Sequence, residues 1–482
     1  MKNSDVSDVE TRQQYFQKLP AAGRLIHHSK VKELLELYPG SLVMKTIQKS
    51  IEGARSSILR SGQEELEKMD LSVDRFVNEI SARIDRVWKP GMRRAINATG
   101  IVLSTNLGRA PLSKAAQEAL RNATEGYSPL AVDIETGRRG DRDTYIQELL
   151  SMLTGAEAAT VANNNAAATM LVLNSIAKGK EVVVSRGQLV EIGGDFQLPE
   201  VVHRSGAILV EVGTTNRTHL KNYQDAINEN TGAILRVHQS NYRIIGFTAD
   251  VSISELVDLG RKHNVPVIDD LGSGALVDLT KYGLPAEPLV SDSIKAGADV
   301  VCFSGDKLLS GPQAGIILGR KKYIQMIKRN PLARMLRVCK LTITALEATL
   351  RLYLNEDTIT ETNPTLHLLT RPLSELERTA KLLASRLLES LNKNAIVAVT
   401  DGYSQVGGGS LPAENLPTKL ISIKPLTTSV DALGKKLRKA DPPVFSRIQQ
   451  DCLLLDLRTV MEDEVEALAA VLENCFTSFG KA

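Results

Sequence analysis

An alternation along the middle of the chain constrains the fold most. Short apolar runs recur at Ala159–Ala162, Glu181–Ser185, Ala207–Val212, Gly232–Val237, Val265–Asp270 and Val300–Phe303, with helices expected from Asn165 and from Ser252. Strands that alternate with helices build an α/β domain, a mostly parallel sheet with helices on both faces. Ligands bind such sheets at the carboxyl ends of the strands. The loops that follow these runs are therefore where chemistry is expected.

One of those loops delivers an amine. Val300–Phe303 runs directly into Ser304-Gly305-Asp306-Lys307-Leu308-Leu309-Ser310-Gly311-Pro312-Gln313-Ala314-Gly315. A lysine at the end of a buried strand loses hydration unless it is paired or neutralised. Such a place suits an amine kept partly neutral, able to form a Schiff base with an aldehyde. The same S-x-x-K spacing occurs in serine β-lactamases, but their S-D-N and K-T-G companions are absent here.

Three upstream features fit a pyridoxal 5′-phosphate site around that lysine. The stretch Thr160-Val161-Ala162-Asn163-Asn164-Asn165-Ala166-Ala167-Ala168 is a strand end entering a helix of small residues. A helix N-terminus presents free amides and a favourable dipole to a phosphate, so Asn164, Asn165 and Ala166 are candidate contacts. Val267-Ile268-Asp269-Asp270 places two acids at the end of an apolar strand, where a carboxylate can keep the pyridine nitrogen protonated. Asp269, the first acid after the run, is the expected partner, with Asp270 as the alternate. His238-Gln239-Ser240-Asn241 ends another strand, and Asn241 could bond the ring hydroxyl. Ser304, the first residue of the lysine motif, completes the cofactor set. The order of phosphate helix, loop Asn, strand-end Asp and lysine makes the set specific.

Composition limits the alternatives. A net charge of +3 is too small to imply nucleic-acid binding by itself. The cysteines at 302, 339, 452 and 475 are far apart, which fits a reducing compartment and no zinc or other metal site. No apolar run approaches a membrane span, and Met1–Glu10 is unlike a signal peptide, so a cytoplasmic protein is expected.

Three domains are expected. Residues 1–95 read as basic helices, with about four positive charges in excess, and the last helix stops at Lys89-Pro90-Gly91. A helical bundle or a docking module for a polyanion both fit that stretch. Residues 96–350 carry the alternating pattern and end in a basic stretch with Arg334 and Arg337. Residues 351–482 read as a small α+β domain, with strands at Ala395–Thr400, Lys419–Ile423 and Cys452–Leu457 and a glycine turn at Gly407-Gly408-Gly409.

Several stretches carry a closer likeness. Ile96-Asn97-Ala98-Thr99-Gly100, Thr105-Asn106-Leu107-Gly108-Arg109, Ser185-Arg186-Gly187-Gln188-Leu189-Val190-Glu191, the Ser304–Gly315 motif and Pro442-Pro443-Val444 resemble the bacterial selenocysteine synthase family, the L-seryl-tRNA(Sec) selenium transferases. Gln188 departs from that pattern, which has Glu there. The resemblance implies a fold-type I pyridoxal phosphate transferase that converts seryl-tRNA(Sec) to selenocysteinyl-tRNA(Sec) with selenophosphate. It implies Lys307 as the Schiff-base lysine, an N-terminal domain that grips the tRNA, and a homodecamer built from dimers. It also implies an anion pocket for the selenium donor, made by Arg109, Arg334 and Arg337. Arg334 and Arg337 are three apart, so on a helix they would share a face. Asp306, beside the lysine, is a candidate proton donor to the leaving hydroxyl. The rival reading is a lyase of the same fold acting on a small phosphorylated amino sugar or amino acid; the N-terminal helices favour the tRNA enzyme.

Overall fold

The computed structural model describes residues 12–194, 196–412 and 414–477, and the expectation placed on Met1–Glu10 lies outside them. The chain divides into two compact units, Met1–Arg94 and Ala95–Ala482. The first is built on α1 (Ser29–Leu37), α2 (Gly40–Arg60) and α3 (Val73–Trp88). Ser72 caps α3 by accepting from the Arg75 amide. Helical spacing puts Val43, Ile47, Ile51 and Ala54 of α2 against Phe76, Val77, Ile80 and Ile84 of α3, closed by Leu25 and Val31. That inward stripe leaves Lys45, Lys49, Arg55 and Arg60 exposed on α2.

The second unit holds two large sheets and a two-stranded ribbon, Glu191–Ile192 against Phe196–Gln197. Its first strand, β1 (Ile96–Ala98), is followed by β2 (Ala158–Ala162), α4 (Asn165–Ile176), β3 (Glu181–Ser185), β4 (Ile208–Val212), β5 (Thr231–Val237), β6 (Val267–Gly272), β7 (Val300–Ser304) and β8 (Gly315–Gly319). Strands β2 to β8 form one seven-stranded sheet in the order β2-β8-β7-β6-β5-β3-β4. Only β8 runs against its neighbours β2 and β7; the other pairs are parallel. The sequence pattern did not single out β8, a five-residue Gly-Ile-Ile-Leu-Gly run. Its first glycine is required by packing. A Cβ on Gly315 would stand 2.1 Å from the Asn164 carbonyl oxygen and 2.8 Å from the Ala168 Cβ. Strand β8 therefore lies tight against the first turn of α4 and fixes where that helix begins.

The chain continues through the short helix α5 (Pro331–Met335) and later α6 (Leu373–Leu391) to β9 (Ala395–Gln405), β10 (Asn415–Pro425), β11 (Val444–Gln449), β12 (Cys452–Asp456) and α7 (Val465–Thr477). These strands form the second sheet, in the order β1-β11-β12-β10-β9. Thus β1, far upstream in sequence, pairs in parallel with β11, Ile96 opposite Val444. Helices α6 and α7 cover this sheet with Leu383, Leu387, Leu468, Leu472 and Phe476.

A single buried carboxylate ties the second sheet together. Asp456 is fully buried and accepts from Ser404 Oγ (2.9 Å), Thr418 Oγ1 (2.8 Å), Arg447 Nη2 (2.9 Å) and the Arg458 amide (3.1 Å). Three strands and the turn after β12 meet on one side chain. Gly100 must be glycine beside it, because a Cβ there would lie 1.9 Å from Asp456 Oδ2. Asp456→Ala leaves those donors without an acceptor, and breaking a buried charge network of this kind costs about 3–5 kcal/mol. Denaturant unfolding should show a clearly lower midpoint for the second unit, and an unchanged midpoint would contradict this account.

Candidate active site

Lys307 sits in the turn after β7, held by its buried neighbours Leu308 and Leu309, and is itself only 5% exposed. Its amine has one hydrogen bond among the described residues, a long one of 3.4 Å to the Gly409 carbonyl. Burial pushes its pKa below the ordinary lysine range, and the Arg109 guanidinium pushes the same way. Asp270, Asp306 and Glu287 oppose that shift. The result is an amine that loses its proton, and so becomes nucleophilic, more readily than an exposed lysine.

Two glycines from distant segments keep space open around it. A Cβ on Gly409 would come within 3.2 Å of the lysine Nζ and 3.6 Å of Ser240 Oγ. A Cβ on Gly272 would meet Ser240 Oγ at 3.3 Å and the lysine Nζ at 3.8 Å. Both have positive φ, +75° and +65°, where a side chain would also strain the backbone.

Alternation along β6 decides between the two acids. Successive side chains of a strand point to opposite faces. Asp269 turns to Arg236 on β5 (Nη1 to Oδ1, 3.0 Å) and to Ser293 (2.6 Å). Asp270 turns to α4, accepting from Asn165 Nδ2 (2.7 Å), Thr169 Oγ1 (2.7 Å) and the Gly272 amide (3.1 Å). Burial pushes the Asp270 carboxyl above the usual carboxylate range, against those three donors. Asp270 therefore replaces Asp269 as the acid on the lysine side.

The other expected residues divide. Asn164 caps α4, its Oδ1 accepting from the Ala167 amide at 2.8 Å. The amides of Asn165 and Ala166 stand in the open first turn, where a helix has no internal acceptor for them. Ser304 is buried as the last residue of β7. Asn241 is not turned toward the lysine: it is exposed and donates to the Glu191 carbonyl at 2.8 Å. Ser240, one residue earlier, is the buried member of that loop beside Lys307.

Asp306 is paired with Arg109, Nη1 to Oδ2 at 2.9 Å. In that pairing it is an acceptor that fixes the guanidinium, which is at odds with a role as proton donor. The arginines do not share a helical face, because α5 ends at Met335. Arg337 lies beyond it in extended chain, bridged to Ala162, and the Leu336 carbonyl accepts from the Asn163 amide at 3.0 Å. Arg337 is thus beside the entrance of α4, while Arg334 is exposed on α5.

Sequence reasoning missed Ser240, Glu287, Thr169 and the contact made by Gly409. Thr169 was findable, being one helical turn beyond Asn165. Glu287 lies in an irregular loop, takes a hydrogen bond from Ser273 Oγ at 2.5 Å, and has no pattern to mark it. Gln188 is buried and structural: its Oε1 accepts from the Val237 amide (3.0 Å) and its Nε2 donates to Asp250 (3.1 Å).

These residues fit pyridoxal phosphate. A buried amine with one weak partner faces a cradle kept open by two glycines, and Asn165 Oδ1 is buried without a partner above Asp270.

The chain is similar to known proteins over most of its length. The family model described as SelA, L-seryl-tRNA selenium transferase, matches residues 95–461. This chain belongs to that family. It is a pyridoxal phosphate-dependent transferase. The L-seryl-tRNA(Sec) selenium transferase of Alkaliphilus oremlandii is 46% identical over 94% of this chain and 97% of its own. The enzyme of the same name from Nitratidesulfovibrio vulgaris is 48% identical over 87% of this chain and 90% of its own. Among solved structures, D-glucosaminate-6-phosphate ammonia-lyase superposes with a TM-score of 0.55 at 21% identity, over 82% of this chain and 99% of its own. At that identity the likeness speaks for the fold alone, which is the fold-type I architecture.

If Asp270 is the carboxylate that would face a bound pyridine ring, Asp270→Asn should reduce turnover by roughly a hundredfold or more. Asp269→Asn should act mainly on stability. Steady-state rates together with unfolding midpoints separate them, and the reverse pattern would restore Asp269. Gln188→Glu puts a carboxyl against Asp250, and its own pKa in the fold should rise above its unfolded value of about 4.3. A raised acid pKa means stability lost as pH rises, so the deficit against the parent should be smallest below about pH 4 and widen as pH rises through the folded value. A pH-independent deficit would contradict this.

Proposed function

We propose that this chain converts L-seryl-tRNA(Sec) to L-selenocysteinyl-tRNA(Sec), taking selenium from selenophosphate, at the site built around Lys307. The observation that carries this reading is the buried, weakly partnered amine of Lys307 opposite Asp270 and the first turn of α4, in a chain of this family.

Bound there, pyridoxal phosphate supplies an electron sink that makes the seryl Cα–H acidic. Asp270 would hold the ring nitrogen protonated, while the amides of Asn165 and Ala166 would hold the phosphate. Lys307 has two duties. As a neutral amine it takes the Cα proton, and as the resulting ammonium it can hand a proton to the departing seryl hydroxyl. That assignment leaves Asp306 to orient Arg109. Water then leaves from the seryl Cβ, the selenium of selenophosphate adds at that carbon, and hydrolysis of the Se–P bond releases phosphate to leave the selenol.

Arg109 and Arg337 are the groups we assign to the donor anion, one beside Lys307 and the other beside the entrance of α4. Arg334 joins them only as a more distant contributor. Residues 1–95 are assigned to tRNA docking, supported by the exposed row Lys45, Lys49, Arg55 and Arg60, none of which has an ion-pair partner among the described residues. Exposed apolar loop residues Tyr127, Ile134, Ile245 and Phe247 in the second unit support assembly into a homo-oligomer, with the decamer as the expected form. Among the described residues no helix is long and apolar enough to cross a membrane, and the cytoplasm is the compartment proposed.

The direct test is to incubate the protein with seryl-tRNA(Sec) and selenophosphate and identify the aminoacyl product. Selenocysteine is expected, and unchanged serine with a cofactor-loaded protein would refute the reading. If Arg337 holds the donor, Arg337→Ala should need roughly tenfold or more selenophosphate for half-maximal rate, with tRNA affinity unchanged. A change confined to the tRNA titration would reassign it to the RNA backbone.

A further inference from the structure

A cavity of about 260 Å³ lies next to the lysine site but is not the cofactor slot. Neither Asn164, Asn165, Asp270 nor Lys307 lines it. Its walls include His238, Gln239, Tyr242 and Arg243 from the segment after β5, together with Glu287 and Pro412. Three links join it to Lys307. Glu287 acts electrostatically on the lysine. Pro412 is three residues past Gly409, whose carbonyl takes the lysine hydrogen bond. His238 is two residues before Ser240, which shares the glycine cradle with the lysine.

The cavity is built for a ligand. Arg236 Nε is buried in its wall with no hydrogen-bond partner, which is costly, while His238 Nε2 faces the Glu287 carboxylate at 3.4 Å. Its charge balance decides what kind of ligand. The cations are already answered: Arg236 pairs with Asp269, and Arg243 pairs with Glu414 at 2.8 Å. Two further wall residues, Asp250 and Glu287, are acids. A dianion such as a phosphate is disfavoured there, whereas a neutral ring with both donors and acceptors can use the whole lining. The volume lies below the usual range of about 300–1,000 Å³ for ligand pockets, which limits the occupant to a small group. Tyrosine and arginine side chains at a single-stranded RNA site stack on bases.

From these observations we propose that the cavity receives the terminal adenosine of the aminoacyl-tRNA, so that the seryl ester on its ribose is presented to Lys307. The inference rests on the function proposed above, because only an aminoacyl-tRNA substrate carries a nucleoside so close to the reacting amino acid. Tyr242 would stack on the base, and Glu287 or Asp250 would accept from its exocyclic amine. The nucleoside then acts as a ruler that sets the seryl Cα over the site, independently of how the tRNA body is held.

The test uses the cofactor-loaded full chain and three stable probes: 3′-(L-serylamino)-3′-deoxyadenosine, its cytidine counterpart and L-serinamide. Binding is read from the visible absorbance of the cofactor. The adenosine compound should bind about tenfold or more tighter than either of the others. Tyr242→Ala should abolish that preference while leaving L-serinamide binding as it was, and Tyr242→Phe should retain it. Equal binding of all three probes to the unmodified protein overturns the proposal without needing any variant. So does a Tyr242→Ala protein that keeps the preference, or one whose defect lies in its response to selenophosphate. Conversion of intact seryl-tRNA(Sec) by the unmodified protein is measured alongside. If conversion succeeds and the probes do not discriminate, only the nucleoside site falls; if conversion fails, the function falls with it.

Discussion

The site depends on taking one ammonium out of water. Lys307 is nearly buried, and what surrounds it does not fully replace its hydration: one distant carbonyl, an arginine that repels it, and three acids with other partners. Asp306 is committed to Arg109, Asp270 to Asn165 and Thr169, and Glu287 to Ser273. Each carboxylate is near enough to influence the lysine, yet each is engaged elsewhere. An amine in that position gives up its proton more readily than a lysine free in solvent.

The rest of the second unit holds that arrangement in place. Strand β7 carries the lysine and β6 the acid, while β8, running against both of its neighbours, presses on the first turn of α4. The second sheet reaches the site through the turn Gly407–Gly409, all three residues at positive φ, which brings the Gly409 carbonyl to the amine. Asp456 therefore matters to the site although it touches none of it, because it braces the strands that bear that turn. Placement of β1 beside β11 ties the start of the unit to its end.

Local patterns made much of this legible in the sequence. The strands of the large sheet were visible as apolar runs, and Lys307 as the residue where one such run ends. The order of phosphate helix, loop, acid and lysine pointed to the cofactor. What was not legible depended on geometry that spacing does not carry. Asp269 and Asp270 are adjacent letters, and only the pleat of β6 sends them to opposite faces. Asn241 and Ser240 differ by one position, and the turn after β5 buries the second and exposes the first. The three-residue spacing of Arg334 and Arg337 resembled a helical pair, but α5 ends between them. Gly409 and Glu287 enter from segments with no periodicity, brought in by the packing of the second sheet and an irregular loop.

The central claim is that Lys307, and no other amine of the chain, is the one that engages the cofactor. The measurement is to load the protein with pyridoxal phosphate, reduce it with borohydride, digest it and locate the phosphopyridoxyl group by peptide mass spectrometry. The account predicts a single modified peptide containing Lys307, formed in proportion to the visible absorbance lost on reduction. Modification spread over the exposed lysines, or concentrated on a peptide outside Ser304–Gly315, would contradict it.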